Sequence, residues 1–251
     1  MNKRVLAIFA HPDDAEQFCG GTLILLKQKG YQILITAITS GECGTVTLDS
    51  KEIVQIREKE AKKGASVIGA DYKCLGIHDG TISYDLKTTI KIVQFIREFN
   101  PQIIFTHPTI DYMTDHSHTG SLLLWAIPEA THKNFPMQGQ PLQRQPYLYH
   151  SDPQGLIGMD GQIVHVKTIV DITSVIDKKL KAFSSHKSQM TLLSKSVKSQ
   201  INAVEKTRRW AITRGQQARV AYGEGFTQQL LEQYPRQNIL AKILKDQVFT
   251  L

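Results

Sequence analysis

Four short apolar runs, separated by amphipathic stretches, constrain this chain more than any other feature. Val5 to Phe9, Gln32 to Thr39, Tyr72 to Leu75 and Ile103 to Thr106 each read as a strand. Such runs, rich in β-branched residues and bounded by turn residues, suit a sheet interior. Glu16 to Lys29, Ser50 to Gly69 and Asp85 to Asn100 lie between them and carry apolar residues at helical spacing. In the last, Ile92, Val93, Phe95 and Ile96 fall near one face. A repeated strand-then-helix order is the pattern of a parallel sheet covered on both faces. The expected fold class is α/β, Rossmann-like, with a mainly parallel sheet flanked by helices.

Past residue 140 the rhythm loosens. Tyr147 to His150 and Val164 to Val170 read as further strands, Thr173 to Met190 and Ser194 to Arg214 as helices, with a shorter helix after Glu224. With 251 residues and 41% hydrophobic composition the chain can bury one full core. We expect one domain over 1–251, with a Rossmann-like core over 1–140 and extra strands and a helical C-terminal elaboration over 141–251. The Pro- and Gln-rich stretch Glu129 to Gln145 reads as a mobile loop.

No apolar stretch reaches the ~20 residues of a membrane span, and the N-terminal apolar run is short and ends in charge. The expectation is a cytoplasmic protein. Cys19, Cys43 and Cys74 are far apart, which suits buried reduced thiols rather than disulfides or a thiolate metal site. The net charge of +7 is uneven, since Ser174 to Val220 holds eleven Lys or Arg against two acids. That basic segment reads as a solvated helix face or as a guide for anionic substrates; without a recognisable nucleic-acid module, no nucleic-acid partner is expected. A homo-oligomer stays open.

In an open parallel sheet, ligands bind beyond the carboxyl ends of the strands, where strand order reverses. If strands one and four adjoin, that crevice lies between AHPDDAEQFCGG (10–21) and THPTIDYMTDHSH (106–118). The first loop lacks the glycine pattern of a phosphate cradle and carries carboxylates instead, which disfavours a dinucleotide. Imidazoles beside carboxylates favour a divalent cation. His11 and Asp14 can give one nitrogen and one oxygen, with a third ligand from the later loop and an open position for an activated water. Glu42 ends strand two on the same crevice, where it is a candidate for substrate binding. Trp125 reads as core, and Tyr222 with Glu224 as a packing aromatic and a capping acid.

These motifs resemble the PIG-L/LmbE-like family of zinc-dependent N-acetylglucosaminyl deacetylases, whose signature is AHPDDE. This chain has AHPDDAE followed by Gly20 and Gly21. The likeness continues through TSGECG (39–44), Arg57 with Glu60, LGIHDG (75–80), DYMTDH (111–116), HKSQ (186–189) and YGEGF (222–226). The resemblance implies a hydrolase that removes an acetyl group from an amino sugar or its conjugate. It implies His11, Asp14 and His116 as ligands of Zn2+, with Fe2+ as another candidate ion, and Asp13 as the general base. It also implies that Arg57 lines the substrate pocket, and Asp115 reads as orienting a ligand or the base. Many members carry a His where this chain has Met113, and a thioether gives no proton. His186 and His78 are the candidates for acid or oxyanion support in its place. A metal- or sugar-binding module with weakened catalysis is the alternative, and the basic segment would suit an anionic conjugate.

Overall fold

Val5, Ala7 and Phe9 pack into one core and Leu6 and Ile8 into another, although all five lie on the first strand, β1 (Arg4–Phe9). Successive side chains of a strand point to opposite faces, so a strand apolar at every position needs cover on both sides. In the computed structural model, which describes residues 2–137, 139–190 and 202–251, helices supply that cover. α1 (Asp14–Gln28), α2 (Ser50–Ile68) and α5 (Ile176–Phe183) pack together on one face. α3 (Leu86–Phe99) and α4 (Thr114–Thr131) pack together on the other.

The sheet also contains β2 (Gln32–Thr39), β3 (Asp71–Ile77), β4 (Ile103–Thr106), β5 (Tyr147–Ser151), β6 (Thr168–Asp171), β7 (Gly223–Gln228) and β8 (Val248–Thr250). Its order is β3-β2-β1-β4-β5-β7-β6-β8, so strands from both sides of residue 140 share one sheet. β3 through β5 run parallel, whereas β7, β6 and β8 join antiparallel. β1 pairs directly with β4. Because β2 lies on the other side of β1, strand order reverses there, and the loops after β1 and β4 flank the crevice.

Local chemistry sets the helix ends. Asp49 and Asp85 accept from the backbone N–H groups of Glu52 and Thr88, as N-cap carboxylates do. Gly69 closes α2 at φ 87°, a conformation that favours glycine.

Several expectations need correction. The residues after Glu224 continue a strand, β7, and the later helix α7 (Ile239–Leu244) begins well beyond it. The expected Val164–Val170 strand is confined to Thr168–Asp171. The expected helix from Thr173 is interrupted: α5 ends at Phe183, a turn follows, and helix resumes at 187–190. Residues 194–201 of the expected Ser194–Arg214 helix lie outside the described residues; α6 (Ala203–Gln217) begins at its own cap, Asn202, and runs three residues further than expected. Trp125 is 56% exposed, because α4 turns Leu122, Leu123, Ala126, Ile127 and Ala130 to the core and leaves the indole off that stripe. Cys19 is buried, but Cys43 is exposed and Cys74 half-buried; all three are free thiols. In the 129–145 stretch, Arg97 donates to the carbonyls of Glu129, Ala130, His132 and Gly139, which ties the loop to α3.

The basic segment is not a uniform solvated face. Arg214 is buried and forks onto Asp152, with Nε–Oδ2 at 2.9 Å and Nη2–Oδ1 at 2.5 Å. Lys179 is buried against Glu224 at 2.7 Å. Glu224 also accepts from the backbone N–H groups of Gly21 and Thr22 and from the Thr22 hydroxyl. Glu224 thus meets the middle of α1 rather than a helix end, so it does not act as the expected capping acid.

Candidate metal centre

The loop after β1 turns sharply into α1, and this turn presents His11, Asp13 and Asp14. Asp13 occupies the N-cap position without capping through its side chain. The Asp14 carboxylate instead folds back, and its Oδ2 accepts from the His11 backbone N–H at 2.7 Å. His116 comes from the first turn of α4, beyond β4. The structure brings the three expected metal ligands together. His11 Nδ1 is 3.3 Å from Asp14 Oδ2 and 3.3 Å from His116 Nε2, and His116 Nε2 is 3.6 Å from Asp14 Oδ1.

The 3.3 Å between His11 Nδ1 and His116 Nε2 and the 3.6 Å from His116 Nε2 to Asp14 Oδ1 fit a small divalent ion. A tetrahedral centre with bonds of about 2.0–2.2 Å places its ligand atoms about 3.3–3.6 Å apart. The electrostatics agree. Burial opposes charge on His11, yet the carboxylates of Asp14 and Asp79 outweigh it and hold its pKa up at about 10. Burial likewise opposes charge on His116, and Asp14 with Asp111 raises it to about 9. Asp14, despite full burial, is held well below the carboxylate range by His116, His107 and His11. A site that gathers positive charge around a buried carboxylate this strongly suits a cation, which takes the place of the protons.

Each ligand is braced by a neighbour, and sequence reasoning missed most of the braces. His11 Nε2 lies 3.2 Å from Asp79 Oδ1, closer than the 3.9 Å to Asp115 Oδ2. His116 Nδ1 faces Asp111 Oδ2 at 3.3 Å. His107, completely buried, places Nε2 3.0 Å from Asp14 Oδ2. Such outer partners fix ring orientation and raise ligand basicity. Asp115, expected to orient a ligand, spends Oδ2 on the Gly80 N–H at 2.8 Å, and Asp79 Oδ2 accepts from the Cys43 N–H. The trio His11, Asp79 and Asp115 is close enough for a second ion. These hydrogen bonds already explain its geometry.

A pocket of about 300 Å³ opens beside the triangle. Its wall includes His11, Asp13, Asp14, Arg57, Met113 and His116, with Gln17, Tyr112, Gln154 and Gln189 around them. Arg57, 3% exposed on α2, donates from Nη2 to Asp13 Oδ1 at 2.8 Å and from Nη1 to the Gly41 carbonyl at 2.9 Å. Gly41 and Gly44 give this guanidinium room, because a Cβ at either would collide with it.

Three expected participants are elsewhere. His186 is 0% exposed and faces Glu16 at 3.4 Å, behind the wall among α1, α2 and the turn after α5. The His78 side chain is 63% exposed and meets Glu42 at 3.4 Å, with its Nδ1 at the Asp79 carbonyl. Neither they nor Glu42 line the pocket. At HDG the phase of the turn sends Asp79 inward and His78 out, which adjacent polar residues do not reveal in sequence. The signal for His107 and Asp111 was their place in the 106–118 loop.

No helix among the described residues is long and apolar enough to cross a membrane. Residues 6–127 match the family model described as PIG-L, GlcNAc-PI de-N-acetylase. A probable N-acetyl-alpha-D-glucosaminyl L-malate deacetylase 2 from Bacillus cereus is 29% identical over 198 residues, which is 75% of this chain and 84% of that protein. The N,N'-diacetylchitobiose deacetylase structure from Pyrococcus horikoshii matches with a TM-score of 0.78 at 26% identity, covering 94% of this chain and 88% of its own. The 4-carboxy-2-hydroxymuconate hydratase structure from Pseudomonas putida matches with a TM-score of 0.79 at 24% identity, covering 94% of this chain and 98% of its own. It shows that the same fold also houses a hydratase. With the AHPDDAE and DYMTDH loops facing each other across the β1–β4 crevice, the chain is similar in sequence and fold to the PIG-L/LmbE-like deacetylases.

Proposed function

We propose that this chain uses zinc to remove the acetyl group from an N-acetylated amino sugar or its conjugate. The observation that carries this reading is the donor triangle of His11, Asp14 and His116, with the Asp13 carboxyl on the same pocket wall. The substrate class is supported by the names of the Bacillus cereus and Pyrococcus horikoshii relatives. A zinc ion on these donors would lower the pKa of a bound water toward about 7 and polarise the acyl oxygen.

Asp13 takes the proton from the attacking water. Arg57 holds its Oδ1, which fixes the carboxyl and leaves the other oxygen to accept. As the C–N bond breaks, Asp13 returns the proton to the leaving nitrogen, giving acetate and a free amine. Met113 has no proton to give, and His186 and His78 lie off the wall; we assign both transfers to the Asp13 carboxyl, with the Tyr112 phenol the other proton-bearing group on the wall. Among the described wall residues Arg57 is the single Lys or Arg, and Asp13 already holds it. We therefore assign a neutral acetylated sugar, rather than an anionic group, to the pocket itself.

The test is acetate release from a panel of N-acetylglucosaminides by the zinc-loaded chain. Asp13→Asn should lower kcat by about 10²- to 10⁴-fold with zinc content unchanged. The reading fails if wild type and Asp13→Asn are equally inert across the panel, all the more if wild type hydrates an unsaturated dicarboxylic acid.

A further inference from the structure

His107 does not line the pocket and is wholly buried, yet it touches two of the three metal-holding side chains. Its Nε2 is 3.0 Å from Asp14 Oδ2, the oxygen that also accepts the His11 backbone N–H at 2.7 Å. Among the described residues no backbone N–H or hydroxyl donates to Oδ1. The His107 ring lies flat on the His116 ring, with centroids 3.7 Å apart and planes 12° from parallel. Phe9 and Phe18 meet the His107 ring edge-on at 4.8 and 5.4 Å.

The other nitrogen is the informative one. Nδ1 is buried and has no hydrogen-bond partner among the described residues. When Nε2–H donates to a carboxylate in a neutral ring, Nδ1 is left as an acceptor. A buried acceptor without a donor costs stability, and such groups call for an explanation beyond packing. The surroundings, Phe9 and Phe18, would be served as well by an apolar ring. The asymmetry, one nitrogen bonded to Asp14 and the other stranded, is therefore kept for what Nε2 does.

We infer that His107 is a positioning residue of the metal centre: it donates Nε2–H to Asp14 Oδ2, leaving Oδ1 for the ion, and its ring sets the plane of His116. The inference rests on the metal reading of the site and not on the acetyl-sugar reading. Its test needs no substrate, so the two can fail separately.

The experiment compares His107→Phe and His107→Gln with wild type in three measurements. These are zinc affinity by chelator competition, the absorption spectrum of the Co2+ form, and the melting temperature of the metal-free chain. Phe keeps a ring on His116 but loses the donor, and it also removes the stranded acceptor. Its metal-free melting temperature should be unchanged or raised, while zinc affinity falls about 10- to 100-fold and the Co2+ bands shift. Gln restores an N–H and should recover most of the affinity and the wild-type Co2+ bands. A folded Phe variant with wild-type affinity and spectrum overturns the inference, as does equal weakness of the Phe and Gln variants. If Phe does not fold, Leu takes its place under the same criteria.

Discussion

Gly120→Ala should push the helix that carries His116 away from the loop that carries His107. Gly120 lies one turn beyond His116 on α4, on the same side of the helix. A Cβ there would stand 2.6 Å from the His107 carbonyl oxygen and 2.6 Å from the Pro108 carbonyl carbon, and would also collide with the Pro108 oxygen. All are backbone atoms, so no rotamer change relieves the overlap. Clearing the Pro108 oxygen needs a shift of at least about 0.6 Å, and overpacking of this kind costs about 1–3 kcal/mol. Helix propensity returns about 1 kcal/mol for Ala over Gly. The net loss, up to about 2 kcal/mol, corresponds to a melting temperature lower by up to about 8 °C in a chain of this size. The 3.3 and 3.6 Å separations from His116 to His11 and Asp14 open with it, and a site that tolerates about 0.5 Å loses zinc affinity about tenfold. Gly20→Ala is the internal comparison. Its Cβ, on α1, would make an ordinary 3.4 Å contact with Lys179 Cγ of α5, so it should gain about 0.5–1 kcal/mol. Thermal melts and chelator competition on both variants decide the matter. If Gly120→Ala melts as high as Gly20→Ala and keeps its zinc, the packing account of α4 is wrong.

Chelation should destabilise the chain, because an ion at 100 times its Kd contributes about 2.7 kcal/mol. EDTA should then lower the melting temperature by about 5–11 °C, and Asp14→Asn should erase the difference. Arg214→Leu strands Asp152 in the interior and should cost about 3–5 kcal/mol in urea unfolding, with Asp152→Leu added on top recovering much of it. Trp125→Gln should change stability by less than about 0.5 kcal/mol, since the indole is largely solvated. A loss of several kcal/mol in the melt would restore Trp125 to the core.

Much of the parallel half was legible because each element signals its own boundaries. Asp49, Asp85 and Gly69 stand where the helices begin and end, and the β1 and β4 runs are apolar at nearly every position. The crevice followed from strand order, so His11, Asp14 and His116 could be named together. The antiparallel half was less legible, since β7 opens with Gly223, Glu224 and Gly225, residues poor in strand propensity. Its glycines answer to distant partners: a Cβ on Gly225 would stand 2.6 Å from Asp152 Oδ2, and one on Gly223 would stand 2.8 Å from Ile169 Cγ2. The outer partners of the metal site were hidden for a related reason. Asp79 and His107 act through the direction of one nitrogen or oxygen, and sequence spacing carries no record of that direction.

The carboxylate of Glu224 inside α1 bears on what counts as a minimal enzyme. Residues 6–127 contain all three metal-holding side chains and coincide with the stretch the family model matches. Yet the helix that begins at Asp14 has the N–H groups of Gly21 and Thr22 answered from about two hundred residues further along the chain. Cut free, the half that carries His11, Asp14 and His116 would lose the Glu224 acceptor from its central helix and leave Lys179 and Glu224 on another fragment. The helix that follows the candidate metal loop is thus tied by hydrogen bonds to β7, on the far side of the chain.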